Sequence, residues 1–311
     1  MRIVFFGTGK FGIPTLKSLL KSEHEIVAVV SQPDKKKGRG WDVLPTQVKA
    51  FMEQSAPAVE IFQPAKTSEP EFIDWLREQK ADVFIVIDYG KLLVEEILAL
   101  PKKCSINLHP SLLPKYRGAA PVNWAILNGE KETGNSVIRM SGKMDAGSVI
   151  AQEKTEINED ETALELSERL SQSGAELVMK VLSMIGSDKA EFIDQKENEA
   201  SHAPKLKKSD GVIDWSRSAF SIMLMIRGLQ PWPGAFTKME GKTLKIFKGR
   251  VVCTGNESMS SGTVIDEEKF LVRTGEGALE ILELQIEGKR RMQREEFLRG
   301  HRIEKGMVLG G

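Results

Sequence analysis

The sequence predicts an α/β protein, a doubly wound parallel sheet followed by a small β-barrel. Three observations carry this. Strand-like and helix-like runs alternate as far as Gly186, the pattern of a parallel sheet wound with helices. The strand runs are short, apolar and β-branched, as in strands covered on both faces. Beyond Asp210 the pattern changes to short runs separated by turn residues, which suits a barrel.

Taken in order, Arg2 to Gly7 reads as a strand, Ile13 to Leu20 has helical spacing, and Glu25 to Ser31 reads as a second buried strand. The chain thus opens with a βαβ unit. Phe72 to Gln79 continues as helix, Ala81 to Ile87 as strand and Val94 to Leu100 as helix. Ser105 to His109 and Ser136 to Met140 are strand-like, and Thr162 to Gly186 carries Leu166, Leu170, Leu177 and Val181 along one helical stripe. Ser187 to Asp210 is polar and without apolar periodicity, which marks a linker. The expected division is a first domain over 1–189, a linker over 190–208 and a second domain over 209–311. In the last, a helix over Ser218 to Arg227 and a rigid turn at Gln230 to Gly234 precede runs at 235–239, 243–248, 262–265, 269–274 and 277–285.

Composition narrows the class. The 311 residues are 41% hydrophobic and 28% charged, ordinary for a globular protein of this size, and no apolar run approaches a membrane span or a signal peptide. A cytoplasmic location is expected. Cys104 and Cys253 lie far apart and outside any metal-ligand spacing, so neither a disulfide framework nor a zinc site is expected and both read as packing residues. Net charge is zero but uneven. Residues 151–200 hold thirteen acidic against five basic side chains, whereas 205–253 hold ten basic against three acidic. A basic segment of that kind suits either a polyanion-binding module or a merely solvated face.

The run over residues 104–121 concentrates the chemistry. If Ser105 to His109 is extended, Ile106 and Leu108 share one face and Asn107 and His109 the other. Pro110 and Pro114 then bracket a turn with few conformations to lose on meeting a ligand. A carboxamide can donate to a carbonyl oxygen as it turns negative, an imidazole can move protons, and an aspartate can hold that imidazole and favour its charged form. Asp145, in a loop beside glycine, is the candidate acid. Gly7, Gly9 and Gly12 match a dinucleotide-binding fingerprint, but the second strand ends in Ser31-Gln32-Pro33 with no acid in place to hold a ribose. Those glycines read as turn and packing residues, and NAD is not expected.

Asn107-Leu-His-Pro-Ser-Leu-Leu-Pro-Lys-Tyr-Arg-Gly-Ala-Ala-Pro121, followed by Met144-Asp-Ala-Gly147, resembles the formyltransferases that use 10-formyltetrahydrofolate. The resemblance extends over the full length to the branch acting on methionyl-tRNA. Further matches are Gln32-Pro-Asp34 with Gly38-Arg-Gly40, Asp88-Tyr-Gly90, Ser201-His-Ala-Pro-Lys-Leu206, Gly211-Val-Ile-Asp-Trp215 and Arg227 to Gly234. The resemblance implies a Rossmann-like catalytic domain with Asn107, His109 and Asp145 as its trio, and an OB-like C-terminal domain. It implies folate contacts from Asp88, Tyr89 and Gly90 and from the main chain of Ser111, Leu112, Leu113 and Pro114. It also implies that a loop around Arg39 enters the acceptor stem of the initiator tRNA. The basic segment then has a partner in tRNA phosphates, with Lys242, Lys245, Lys248 and Arg250 as candidate contacts. The co-substrate would be 10-formyltetrahydrofolate, with no metal and no membrane, acting in a monomer.

Three positions depart from the family pattern. Trp41 and Asp42 follow Gly40 where basic residues are usual, Asp88 stands where a small apolar residue is usual, and Asn135 replaces an apolar strand residue. Rival readings are an amino-sugar nucleotide formyltransferase, a formyltetrahydrofolate hydrolase and a nucleic-acid-binding protein with a dead catalytic fold. The Gly38-Arg-Gly40 loop, the basic second domain and the intact trio favour the tRNA branch.

Overall fold

The computed structural model describes residues 1–37, 42–253 and 259–310. By contacts the chain forms two units. The first comprises 1–121, 132–156 and 167–203, and the second 122–131, 157–166 and 204–310. Two segments assigned by sequence to the first domain, 122–131 and 157–166, therefore group with the second. Residues 190–203, read as linker, group with the first.

In the first unit the strands are β1 (Arg2–Gly7), β2 (Glu25–Val30), β3 (Lys35–Lys37), β4 (Asp42–Leu44), β5 (Glu60–Phe62), β6 (Val83–Ile87), β7 (Cys104–His109), β8 (Arg117–Gly118), β9 (Glu132–Arg139), β10 (Val149–Glu156) and β11 (His202–Ala203). Seven of them make one sheet in the order β10-β9-β7-β6-β1-β2-β5. From β5 to β7 the pairs are parallel, while β9 runs antiparallel to β7 and to β10. The predicted parallel sheet thus carries an antiparallel edge. The chain reverses its winding between β1 and β6, and in such sheets ligands sit beyond the strand carboxyl ends.

The helices α1 (Ile13–Leu20), α2 (Gln47–Ser55), α3 (Pro70–Glu78), α4 (Glu95–Leu98) and the later part of α6 (Ala163–Gly186) cover this sheet. Alternate residues of each strand feed two cores. Ile3, Phe5, Val83 and Ile85 pack with Leu16, Met52, Val178 and Val181; Val4, Phe6, Phe84 and Val86 pack with Phe72, Leu76 and Ile97. Burial on both faces explains why these strands read as continuous apolar runs. Gly7, Gly9 and Gly12 are packing glycines, since a Cβ on Gly7 or Gly12 would meet the Phe5 ring at 2.6 and 2.9 Å. At Gly9 it would overlap the Asp88 carboxylate.

The second unit contains α5 (Pro121–Leu127), which starts at the unit boundary, then α7 (Ala219–Gly228) and α8 (Arg294–Gly300). Its strands are β12 (Ala235–Met239), β13 (Lys242–Val252), β14 (Val264–Asp266), β15 (Leu271–Arg273), β16 (Ala278–Ile286) and β17 (Met292–Gln293). They form an antiparallel sheet ordered β12-β13-β16-β15-β14 with β17 on β16, one strand more than the sequence runs indicated. Cys104 is buried as expected, but Cys253 is exposed and does not serve packing.

Candidate active site

The site is built at the end of β7. Val86 of β6 pairs with Asn107, and His109 pairs with Ser136 of β9, so both polar residues stand at the carboxyl end of the parallel strands. Asn107 is half-buried and His109 is buried. The polar face predicted for the strand is therefore largely enclosed by protein and not an open surface.

Asp145 joins them from the loop between β9 and β10. Its backbone is left-handed, φ 50°, a conformation that a short polar side chain tolerates better than most. Two residues on, a Cβ at Gly147 would collide with the Arg139 carbonyl, so the loop can turn here only with glycine. One carboxylate oxygen of Asp145 accepts a 3.4 Å bond from Asn107 Nδ2. The other accepts the Gly118 N–H at 2.9 Å and lies 3.7 Å from His109 Nδ1. The trio named from sequence is thus brought together.

The far side of the imidazole fixes its tautomer. His109 Nε2 lies 2.9 Å from the Tyr116 carbonyl oxygen, which can only accept. Nε2 therefore carries hydrogen, and in the neutral ring Nδ1 is the basic nitrogen facing Asp145. This orienting carbonyl was hidden from sequence reasoning because any residue could supply it.

The bracketed turn is braced from beneath. Ser136 Oγ donates to the Ser111 carbonyl at 2.6 Å and accepts the Leu113 N–H at 3.0 Å and Gln152 Nε2 at 2.8 Å; Gln152 also donates to the Leu113 carbonyl at 2.8 Å. The Ser111 hydroxyl donates to the Lys115 carbonyl, the Lys115 N–H to the Leu112 carbonyl, and the Ser201 N–H to the Pro114 carbonyl. Much of the main chain expected to meet folate is thus spent on holding the turn. The partly exposed Leu112 and Pro114 are the open part of it.

Asp88, Tyr89 and Gly90 follow β6 at the reversal of winding. The Tyr89 ring is buried edge-on to Phe6, and its carbonyl accepts Thr8 Oγ1 and Gln32 Nε2, so Tyr89 is a core residue. Asp88, at φ 50°, is exposed on one side and hemmed in by protein on the other. That desolvation pushes its carboxyl up to about 6, and water on the open side opposes the shift. Behind the turn, Lys49 Nζ bonds Asp34 Oδ2 at 2.6 Å, and Gln63 Nε2 bonds both Asp34 Oδ1 and the Gln32 carbonyl at 2.7 Å. This ties down Gln32-Pro-Asp34 ahead of the β3–β4 hairpin. Arg39, Gly38, Gly40 and Trp41 lie outside the described residues, and of the Asp42 side chain nothing is described.

Asn135 is fully buried and donates to the Leu170 carbonyl at 2.8 Å and to Ser173 Oγ at 3.0 Å, so this departure joins β9 to α6. Among the described residues no group of three or more His, Cys, Asp or Glu is placed to hold a metal ion, and no helix is long and apolar enough to cross a membrane.

Residues 1–182 match the formyl transferase family, and residues 205–302 match the formyl transferase C-terminal domain. The methionyl-tRNA formyltransferase of Caldanaerobacter subterraneus subsp. tengcongensis is 45% identical over 311 residues, spanning 99% of this chain and 100% of the relative. That of Geobacter sulfurreducens is 40% identical over 312 residues, spanning 100% and 97%. The chain belongs to the methionyl-tRNA formyltransferase family. Among solved structures, WlaRD, a sugar 3N-formyl transferase determined with dTDP and 5-N-formyl-THF, matches with a TM-score of 0.67 at 20% identity, over 93% of this chain and 99% of that one. HypX from Aquifex aeolicus with tetrahydrofolic acid matches with a TM-score of 0.65 at 19% identity, over 99% of this chain and 51% of that one. At these identities the likeness is one of fold.

In this member of the formyltransferase family the candidate tRNA contacts lie along β13. Lys242, Lys245 and Lys248 are exposed. Arg250 is ion-paired, since its guanidinium donates through Nε and Nη2 to Oε2 of the buried Glu280, whose other oxygen is bonded by Arg294. Burial works to raise the Glu280 pKa, but the bonds from Arg250 and Arg294 outweigh it and hold the carboxyl below its usual range. Arg250 is thus exposed like the lysines, but its charge is largely neutralised by Glu280.

Proposed function

We propose that this protein transfers the formyl group of 10-formyltetrahydrofolate to the α-amine of methionyl initiator tRNA, giving N-formylmethionyl-tRNA. The observation that carries this reading is the convergence of Asn107, His109 and Asp145 at the end of β7, in a chain that matches methionyl-tRNA formyltransferases over its full length. The donor set suits a formyl group, since a neutral amide donor, a basic ring nitrogen and a carboxylate adjoin one another.

Each residue has a role that its contacts allow. Asn107 Nδ2, only weakly engaged by Asp145, donates to the formyl oxygen as attack by the amine drives charge onto it. His109, with Nε2–H fixed on the Tyr116 carbonyl, takes a proton from the attacking amine at Nδ1 and returns it to the departing folate nitrogen. Asp145 stabilises the imidazolium formed between those two transfers. All three come from one chain, so a monomer suffices for this chemistry.

Asp88, Gly90 and the Ser111–Pro114 turn would flank the folate, Tyr89 supporting that wall from the core. Lys242, Lys245 and Lys248, with Arg39, would meet tRNA phosphates, while Arg250 supports the sheet beneath them. We divide the labour between a catalytic first domain and a tRNA-binding second domain, working in the cytoplasm where charged initiator tRNA is used. The decisive assay offers 10-formyltetrahydrofolate with Met-tRNA or with an amino-sugar nucleotide. Formylated Met-tRNA supports the proposal. Formylated sugar, or formate released with neither acceptor modified, overturns it.

A further inference from the structure

We infer that Arg117 and Gln195 form a positioning relay that sets the distance between Asp145 and His109, so that residues 193–203 are a working part of the active site. This rests on the reading of Asn107, His109 and Asp145 as the catalytic trio.

The relay starts from a buried charge. Arg117 is 6% exposed, and its guanidinium makes four bonds of 2.9 to 3.0 Å, two to Gln195 Oε1 and two to the Glu197 carboxylate. With its oxygen held by Arg117, the Gln195 amide has a fixed direction. Its Nε2 donates to the carbonyls of Asp145 at 2.8 Å and Gly147 at 2.7 Å. The left-handed turn that presents the Asp145 carboxylate is therefore clasped at the backbone on both sides of Ala146.

The same arginine lies between the two main-chain groups that meet the trio. Its predecessor, Tyr116, supplies the carbonyl that accepts His109 Nε2, and its successor, Gly118, supplies the N–H bonded to Asp145 Oδ2. A closed circuit results, from His109 through Tyr116, Arg117 and Gln195 to Asp145. Any shift of Asp145 away from His109 has to break a member of this circuit.

Residues 193–203 clamp both catalytic loops. Ile193 exchanges both backbone bonds with Val149, and Asp194 accepts Ser148 Oγ at 2.7 Å. Farther on, Ser201 accepts the N–H of Tyr116 on its hydroxyl and that of Arg117 on its carbonyl, and β11 pairs with β8. A segment without apolar periodicity is thus ordered largely by polar contacts, many of them to loops that carry or orient the trio.

Gln195→Glu separates positioning from stability. Glutamate keeps an acceptor for Arg117 but cannot donate to the two carbonyls. The variant should melt close to the parent, bind 10-formyltetrahydrofolate and Met-tRNA with KM within about threefold, and lose about 10²-fold in kcat, the cost of misplacing a reacting group by about 1 Å. Arg117→Lys, which cannot fork to two acceptors, should do the same to a lesser degree. In an Asp145→Ala background Gln195→Glu should cost nothing further, because the group it positions is gone. Parental kcat in a folded Gln195→Glu enzyme, or an additive loss in the double variant, overturns the relay. If Asp145→Ala alone retains full turnover, the trio assignment fails instead. Should Gln195→Glu prove unstable, the fold-loss caused by Arg117→Lys with and without Asp145 decides the matter on the same criterion.

Discussion

Asn107 and Asp88 show how surroundings change what an ordinary side chain can do. The Asn107 amide meets Asp145 at 3.4 Å, long for a hydrogen bond, so it can turn to a stronger acceptor at little cost. Asn107→Ala should lower single-turnover formyl transfer by about 10²- to 10³-fold, the range for removing one oxyanion donor, with folate affinity little changed. Near-parental turnover would take Asn107 out of the mechanism. Asp88 carries a different signature. Desolvation pushes its carboxyl from the ordinary 3.8 up to about 6 in the folded protein, so the folded state holds the proton more tightly. The stability this confers is fully present below about pH 4 and is lost as pH rises through about 6. Asp88→Asn should therefore melt with the parent at about pH 4 and above it at about pH 7.5, by a margin that solvent on the open side keeps small. A melting difference independent of pH would refute this account.

The strand β9, between β10 and β7, is an element with two duties. Its pairing with β7 sets the register that places Ser136 opposite His109, and the Ser136 hydroxyl then holds the Ser111–Pro114 turn through two bonds and Gln152 through a third. Ser136 is fully buried, so Ser136→Ala takes a bond from the Ser111 carbonyl and the Leu113 N–H in a dry site. The expected cost is about 1–3 kcal/mol of stability, read by denaturant unfolding, together with a raised KM for the formyl donor and an unchanged KM for Met-tRNA. A variant with parental stability and both constants intact would mean that the prolines hold the turn unaided. Asn135, its neighbour on β9, works inward by bonding α6 and has no share in that turn.

At the scale of the molecule, the proposed function assigns a small-molecule task to the first unit and a polyanion task to the second. Neutralising two of Lys242, Lys245 and Lys248 should weaken Met-tRNA binding and flatten its salt dependence by about 0.9 log unit per lost phosphate contact, the duplex value. The KM for Met-tRNA should rise while that for 10-formyltetrahydrofolate stays put. Arg250→Gln should behave otherwise, lowering stability through the buried Glu280 with little change in salt slope. Equal salt slopes for parent and lysine variants, measured by filter binding across a salt series, would leave tRNA recognition to residues elsewhere.

The amino-acid sequence by itself determined the alternation of elements and the buried parallel strands, and it offered Asn107, His109 and Asp145 as candidates that the family resemblance joins into a trio. The first two features are local, and so is the period of two that puts Asn107 and His109 on one face. The antiparallel edge was less legible, since β10 is polar or charged from Gln152 onward and no local signal gives the direction of its partner. Three decisions belonged to tertiary structure alone. The Tyr116 carbonyl chose the tautomer of His109, the buried Glu280 claimed Arg250, and Gln195 joined Arg117 to Asp145 across 78 and 50 positions of chain. A hydrogen bond between residues so far apart leaves no period in the sequence. It exists only once the fold has brought donor and acceptor together and excluded the water that would otherwise satisfy them.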